Sequence, residues 1–465
     1  MKSLLLDAPR WLLLVTLVYA PWAFGCTLDW TVSLLEALLG CVLVSWGIRC
    51  RLRKSWPRIH PVLLGSCAWL ILQAWWMSLN GSSTPNQSDA NSGADGLFAS
   101  VPGSINPAVS TVMALRITLL LGAACFACDL ARHSLWRKRF YWTMGLTGAS
   151  IILLGLMQRL TNAPGIFWNA QHASETFFAT YDYHANAGSF INLTWPLVAG
   201  LLVSSLLKGT ALVQRIFWTI ALSISLVGVF VNTSRAASFL CVVLLLVLLI
   251  WFAFFVCRRL LPQLNLAVVL VTLFLLLLIV GGAAIIVGTE RTYQHWSVFQ
   301  RNELNAQNPR LLSAQVCLEI LPEADWLGFG PGTFKNILTA HASQSKTAIP
   351  PNLDYAHQDY LQTILEWGFL GAAFWFVLLF GSLAYATWMQ FKNGAKWPSK
   401  DRVLYFVVLV SLLGVAAHAL VDYPFQIASI QLYIVVLVGV LWSSRSWQSH
   451  RETEHLRKAE LTAAE

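Results

Sequence analysis

Apolar residues in this chain arrive in runs of about twenty, one after another, and that limits what it can fold into. A helix needs about 20 mainly apolar residues to cross the hydrocarbon core of a bilayer. Inside hydrocarbon every backbone N–H and C=O must be satisfied within the protein, which leaves helices and closed barrels. Twelve spans are read, at roughly 10–26, 29–48, 61–79, 109–130, 140–160, 187–207, 215–232, 236–257, 263–287, 364–390, 403–421 and 425–443. The composition agrees: the chain is 57% hydrophobic and only 11% charged, where soluble domains carry about 25% charged residues. The expected fold class is an all-α integral membrane protein of about twelve transmembrane helices with one large external loop.

The net charge of +9 raises nucleic acid as a partner, but the placement of the charge argues against it. Lys and Arg gather at both ends and in alternate short loops: Arg49 to Arg58, Arg132 to Arg139, Lys208 with Arg215, Arg258-Arg259, and Lys392 to Arg402. This is the positive-inside asymmetry of a multi-pass protein, not a basic face for DNA or RNA. An even number of spans puts both termini on the cytoplasmic side. The loops at 80–108, 161–186, 232–235, 288–363 and 421–425 then lie outside. The organisation reads as 1–287 with helices one to nine, 288–363 as the large loop, 364–445 with helices ten to twelve, and 446–465 as a cytoplasmic tail. The first apolar run, flanked by Lys2 and Arg10, reads as a signal-anchor helix. Of the nine cysteines only Cys26 and Cys317 are expected to reach the outer side, so no disulfide framework is implied.

The polar interval from Gly288 to Gly371 holds most of the groups able to do chemistry. Arg310 follows Asn308-Pro309, at a helix start. Gly328-Phe-Gly-Pro-Gly332 lacks the preceding strand and the Lys-Ser/Thr ending of a phosphate loop, and reads as a tight turn bringing backbone close to another element. His357 is the leading catalytic candidate. A helix starting near Asp354 would place His357, Tyr360, Leu361, Ile364, Gly368 and Gly371 on one stripe. Glu366 would then face away, so any carboxylate orienting His357 must come from another segment. The spacing around His357 is not that of a zinc site, and no metal or cofactor is expected. Arg291 is a secondary cation on the same loop.

Other segments add candidates. Asn232-Thr-Ser-Arg-Ala-Ala-Ser238 puts Arg235 in a turn so short that it must lie at the membrane surface, either as an anchor or as a clamp for a phosphate group. Arg116, two turns into a span, is either functional or snorkels to the interface. Phe178-Ala-Thr-Tyr-Asp-Tyr-His-Ala-Asn-Ala187 offers His184 and Asn186, while Tyr181 and Tyr183 read more simply as an aromatic belt.

Taken in order, these segments resemble the O-antigen ligase and polymerase superfamily of bacterial membrane glycosyltransferases. The pieces are Thr233-Ser-Arg-Ala-Ala237, Pro309-Arg310 with its helix, Gly328-Phe-Gly-Pro-Gly-Thr-Phe334, and Ala356-His-Gln-Asp-Tyr-Leu-Gln-Thr-Ile-Leu-Glu-Trp-Gly-Phe-Leu-Gly371. His418-Ala-Leu-Val-Asp-Tyr-Pro-Phe-Gln426 is similar to the family's closing external turn. The resemblance implies a GT-C-like fold with a periplasmic loop in the bacterial inner membrane and a metal-independent transfer. The donor would be a glycan on undecaprenyl diphosphate, and the acceptor a hydroxyl of lipid A-core or another glycan. It also implies membrane lipids as partners, His357 as general base, and Arg235 and Arg310 on the diphosphate; from the residues alone Arg291 is added as a diphosphate candidate, with Arg116, His184, Asn186 and Tyr360 secondary. Two departures stand out: Gln358 follows the motif histidine where the family usually has asparagine, and the first external turn, between the first two spans, offers only Asp29 where many polyprenyl-using enzymes carry an acidic pair. A polysaccharide polymerase is the alternative within the superfamily. A transporter of a small anion such as bicarbonate is the alternative outside it, but no inverted repeat or matching pair of broken helices supports that.

Overall fold

The computed structural model describes residues 2–81, 103–170, 174, 176–207, 210–252, 309–341 and 353–447. Thirteen α-helices are found among them. The first eight are α1 (Lys2–Trp22), α2 (Asp29–Arg53), α3 (Pro61–Leu79), α4 (Pro107–Leu130), α5 (Ser134–Leu160), α6 (His184–Leu207), α7 (Leu212–Val231) and α8 (Arg235–Trp251). Two short ones follow, α9 (Pro309–Ile320) and α10 (Phe334–His341), then α11 (Asp359–Asn393), α12 (Ser399–His418) and α13 (Ala428–Trp442). Eight of the helices are long and apolar enough to cross a membrane, and α8 and α13 are shorter apolar helices. Each expected span overlaps a helix except 263–287, which, like the end of 236–257, lies outside the described residues. Both Cys26 and Cys317 are buried and free.

Helix ends fall where the sequence can satisfy their first N–H groups. Asn106 caps α4, accepting from Val109 N at 3.3 Å, with Pro107 at the first helical position. Ser234 caps α8 through Ala237 N. Between helices, small residues allow close approach where apolar burial alone supplies no driving force. A Cβ on Gly439 of α13 would lie 2.3 Å from the Ala124 carbonyl oxygen of α4. Helices α6 and α12 pack lengthwise on each other at the centre of the bundle.

A second, smaller core gathers Val316, Cys317, Ile320, Phe334, Ile337 and Leu365. It joins α9 and α10 to the top of α11, so these described parts of the polar interval fold onto the bundle. The join is a backbone stitch. Gly368 breaks α11 with φ 64° and ψ −179°, a region essentially restricted to glycine. The carbonyls this break frees are used at once: Phe329 N donates to Leu365 O at 2.9 Å and Gly330 N to Glu366 O at 3.0 Å. Leu370 N returns a bond to Trp326 O, and the Gln73 side chain donates to the Trp367 and Leu327 carbonyls. The glycine-rich turn thus approaches α11. Gly368 belongs to the stitch, not to a continuous helical stripe below His357.

An alanine at 368 would take the same φ and set its Cβ 2.3 Å from the Trp326 carbonyl oxygen. Gly368→Ala is expected to cost roughly 3 kcal/mol, seen as a lower thermal midpoint in detergent. Gly40→Ala, with nothing within 4 Å, should leave the midpoint unchanged or raise it.

Candidate active site

His357 stands just before α11, not within it. Gln358 is the cap, its Oε1 accepting from Leu361 N at 2.6 Å, so the glutamine found in place of the expected asparagine serves as an N-cap. The helix starts at Asp359, five residues later than a start at Asp354 would have it, and His357 takes a left-handed φ of 50°. That conformation is unfavourable for a residue with a Cβ and persists only where the surroundings fix it. Here both neighbours are pinned. Ala356 donates to Gln362 Oε1 and accepts from Ser313 Oγ at 2.7 Å, while Asp359 N donates to Ala419 O. The Asp359 carboxylate in turn accepts from Phe425 N and the Gln426 side chain, holding the 419–427 turn against the start of α11.

That turn supplies the carboxylate that the reading of His357 required from elsewhere. Asp422 is fully buried, with His357 Nδ1 3.3 Å from its Oδ1 and Arg310 Nη2 3.2 Å from its Oδ2. Arg310 Nη2 also donates to the Tyr183 hydroxyl at 2.9 Å, and that hydroxyl faces Asp422 Oδ2 at 3.4 Å. Tyr423 N completes the set on Oδ1. Burial by itself pushes the Asp422 carboxyl up, but the His357 hydrogen bond and then the Arg310 charge outweigh it and hold it below the ordinary carboxylate range. An ionised carboxylate only accepts, so the proton on the facing imidazole nitrogen must be on Nδ1. This leaves the Nε2 lone pair of a neutral His357 to accept a proton.

Rings surround the cluster. Tyr355 stacks on Tyr423 at 4.4 Å and Tyr423 on Tyr183 at 5.6 Å, with His357 edge-on to Tyr423 at 4.9 Å. Burial pushes Tyr183 and Tyr355 up, with nearby carboxylates adding to the rise. Tyr183 is therefore a member of the cluster. Tyr181 is core, fully buried and bonded to Ser429. Neither forms the belt expected of them.

The other sequence candidates divide. Arg235 opens α8 after Thr233, itself left-handed at φ 66°. Buried Asn232 donates to the His184 carbonyl at 2.8 Å, tying this helix mouth to the residue next to Tyr183. The His184 ring packs on Tyr183, and the Asn186 side chain hydrogen-bonds Tyr423. Arg116 is not an isolated charge; its Nε meets Glu36 Oε1 of α2 at 3.0 Å. Tyr360 donates to Ala416 O at 2.6 Å and lines an apolar slot. Arg291 lies outside the described residues. The slot begins at Phe425 and Gln426, beside Asp422, and runs between α4, α11 and α13 past Ile117, Phe376 and Val435 to Val438. In the sequence Tyr183 reads as a belt residue, and Asp422 and Tyr423 appear only as part of the segment His418 to Gln426, none of them as site residues. The available signal was a lone acidic residue in a short external turn.

Because the folded Asp422 carboxyl titrates below its unfolded value of about 3.9, its contribution is complete above about pH 4 and is lost as pH falls through the folded value. Asp422→Asn should lower the thermal midpoint at pH 7 and flatten the loss of stability between about pH 4 and pH 2. Parallel acid limbs for variant and wild type would contradict the pairing.

Residues 220–376 match the family model Wzy_C, described as O-antigen ligase. The match includes Arg235, Arg310, the glycine-rich turn and His357, and ends before Asp422. No curated protein and no solved structure matches the chain. Over residues 220–376, in keeping with its ordered motifs and helical bundle, the chain is similar to the O-antigen ligase family.

Proposed function

We propose that this chain is an O-antigen ligase-type glycosyltransferase of the bacterial inner membrane, with both termini cytoplasmic and its site periplasmic. It would move a glycan from undecaprenyl diphosphate to a hydroxyl of lipid A-core or another glycan. The observation that carries this reading is the convergence of His357 and Arg310 on the one buried carboxylate of Asp422.

In this reading His357 Nε2 takes the acceptor hydroxyl's proton as that oxygen bonds to the anomeric carbon. The carbon–oxygen bond to the diphosphate breaks, and its electron pair leaves on the lipid diphosphate. Arg310, held to Asp422 and Tyr183 through Nη2, brings its guanidinium charge to the side of that leaving group, with Arg235 at the adjoining helix mouth and Arg291 as a further cation. Asp422 orients both residues. The tyrosine stack suits a sugar face, and the apolar slot suits a polyprenyl chain held beside the cluster. Both substrates then meet with part of the ordering cost already met by the membrane.

In a purified assay with lipid-linked donor, His357→Ala and Arg310→Ala should each lose at least about 100-fold in transfer. Arg310→Lys should recover little, since an ammonium does not reproduce the guanidinium fork. Full transfer by both alanine variants would end the assignment. Within the superfamily, a polysaccharide polymerase is the second reading, favoured by the same residues. Cells lacking the protein decide between them: ligase loss should leave long polymer on its carrier, and polymerase loss should leave single repeats.

A further inference from the structure

At the opposite end of α6 from His184, a polar cavity lies between the ends of α5, α6, α7 and α12. The rise along α6 from His184 to the cavity-lining Leu201, Ser204 and Ser205 sets it about 30 Å from the Asp422 cluster. Three helices, α5, α7 and α12, begin at this cavity. Their capping positions, His133, Ala211 and Pro398, make no side-chain cap hydrogen bond among the described residues. Three positive helix ends therefore meet here against one negative end, that of α6.

The side chains add to that field. Lys138 and Lys400 line the cavity. The carboxylate also lining it, Asp401, is taken by Arg137 at 2.8 Å, with both side chains 3% exposed. Lys138 lies over the Trp142 ring, which leaves its charge at the rim. At the cavity wall the Trp218 ring is fully buried, and its indole N–H finds no acceptor among the described residues. A buried donor of this kind usually has a partner. The cavity thus offers two ammonium groups, helix-start amides and an indole N–H, all of which suit one acceptor with negative charge.

The surroundings select the source of that acceptor. Residues next in sequence to the lining are exposed and apolar: Leu135 at 54%, Val213 at 78% and Phe217 at 47% exposed. A soluble anion would gain nothing from them, whereas acyl chains would lie along them. We infer that this cavity binds the phosphate headgroup of an anionic phospholipid, with its chains along the outer faces of α5 and α7. The inference does not depend on glycosyl transfer. It needs only that the bundle lies in a membrane, where basic pockets between helices bind such headgroups.

The full-length protein, purified in neutral detergent, tests this with phosphatidylglycerol or cardiolipin against phosphatidylcholine. The anionic lipids should raise the wild-type thermal midpoint, while millimolar inorganic phosphate should not. Lys138→Gln with Lys400→Gln should keep the midpoint found in phosphatidylcholine and bind phosphatidylglycerol roughly tenfold or more weakly. Trp218→Phe should weaken binding less. Equal responses of the wild type and the double variant would overturn the site. A full response to phosphate alone would overturn the lipid as its occupant.

Discussion

One carboxylate taken out of water organises the end of this bundle at which α6 and α11 begin. Asp422 has no exposed surface, and an uncompensated buried charge costs several kcal/mol. It is tolerable because its hydrogen bonds come from a guanidinium, an imidazole, a phenol and a backbone amide. Those donors come from α9, the start of α11, the start of α6 and the turn itself. The energetic need to satisfy one acid therefore fixes the relative placement of four segments that are remote in sequence.

The cations there work against local preference. Arg235 is the first residue of α8 and Arg310 the second of α9. A positive charge at a helix N-terminus opposes the macrodipole by about 0.3–1 kcal/mol. Asp422 offsets this for Arg310. A helix start that also carries a cation concentrates positive potential at one point, which is what an anionic leaving group would require. Fold stability alone would place an acid or a hydroxyl at these positions, as it does with Ser234 at the cap of α8.

The helices were legible because twenty-residue apolar runs form a strong signal that needs no tertiary context. Arg310, Arg235 and His357 stood out because polar groups beside such runs are costly. Asp422 did not, since it sits 65 positions from His357 and no spacing rule links a lone acid in a turn to a histidine that far away. The start of α11 was misplaced for a related reason. Ala356 is held by Ser313 and Gln362, contacts that exist only once α9 has docked. Helical periodicity around 354–371 is blind to them. The same holds for Gly368, where periodicity suggested a continuous stripe and the backbone instead breaks to meet residues 326–330.

That break and the left-handed histidine are coupled through α11. Residues 359–367 form a short segment held at one end by Ala419 and the Gln358 cap, and at the other by the stitch at Gly368. Between them, buried Glu366 accepts from Gly332 N and the Gln362 side chain, and Gln362 accepts from Ala356 N. A chain of hydrogen bonds thus runs from the glycine-rich turn to the residue before His357. Through that chain the turn sets the backbone from which the imidazole projects. The glycine-rich motif and the histidine motif are accordingly two ends of one device, and Asp422 receives the side chain that this device aims.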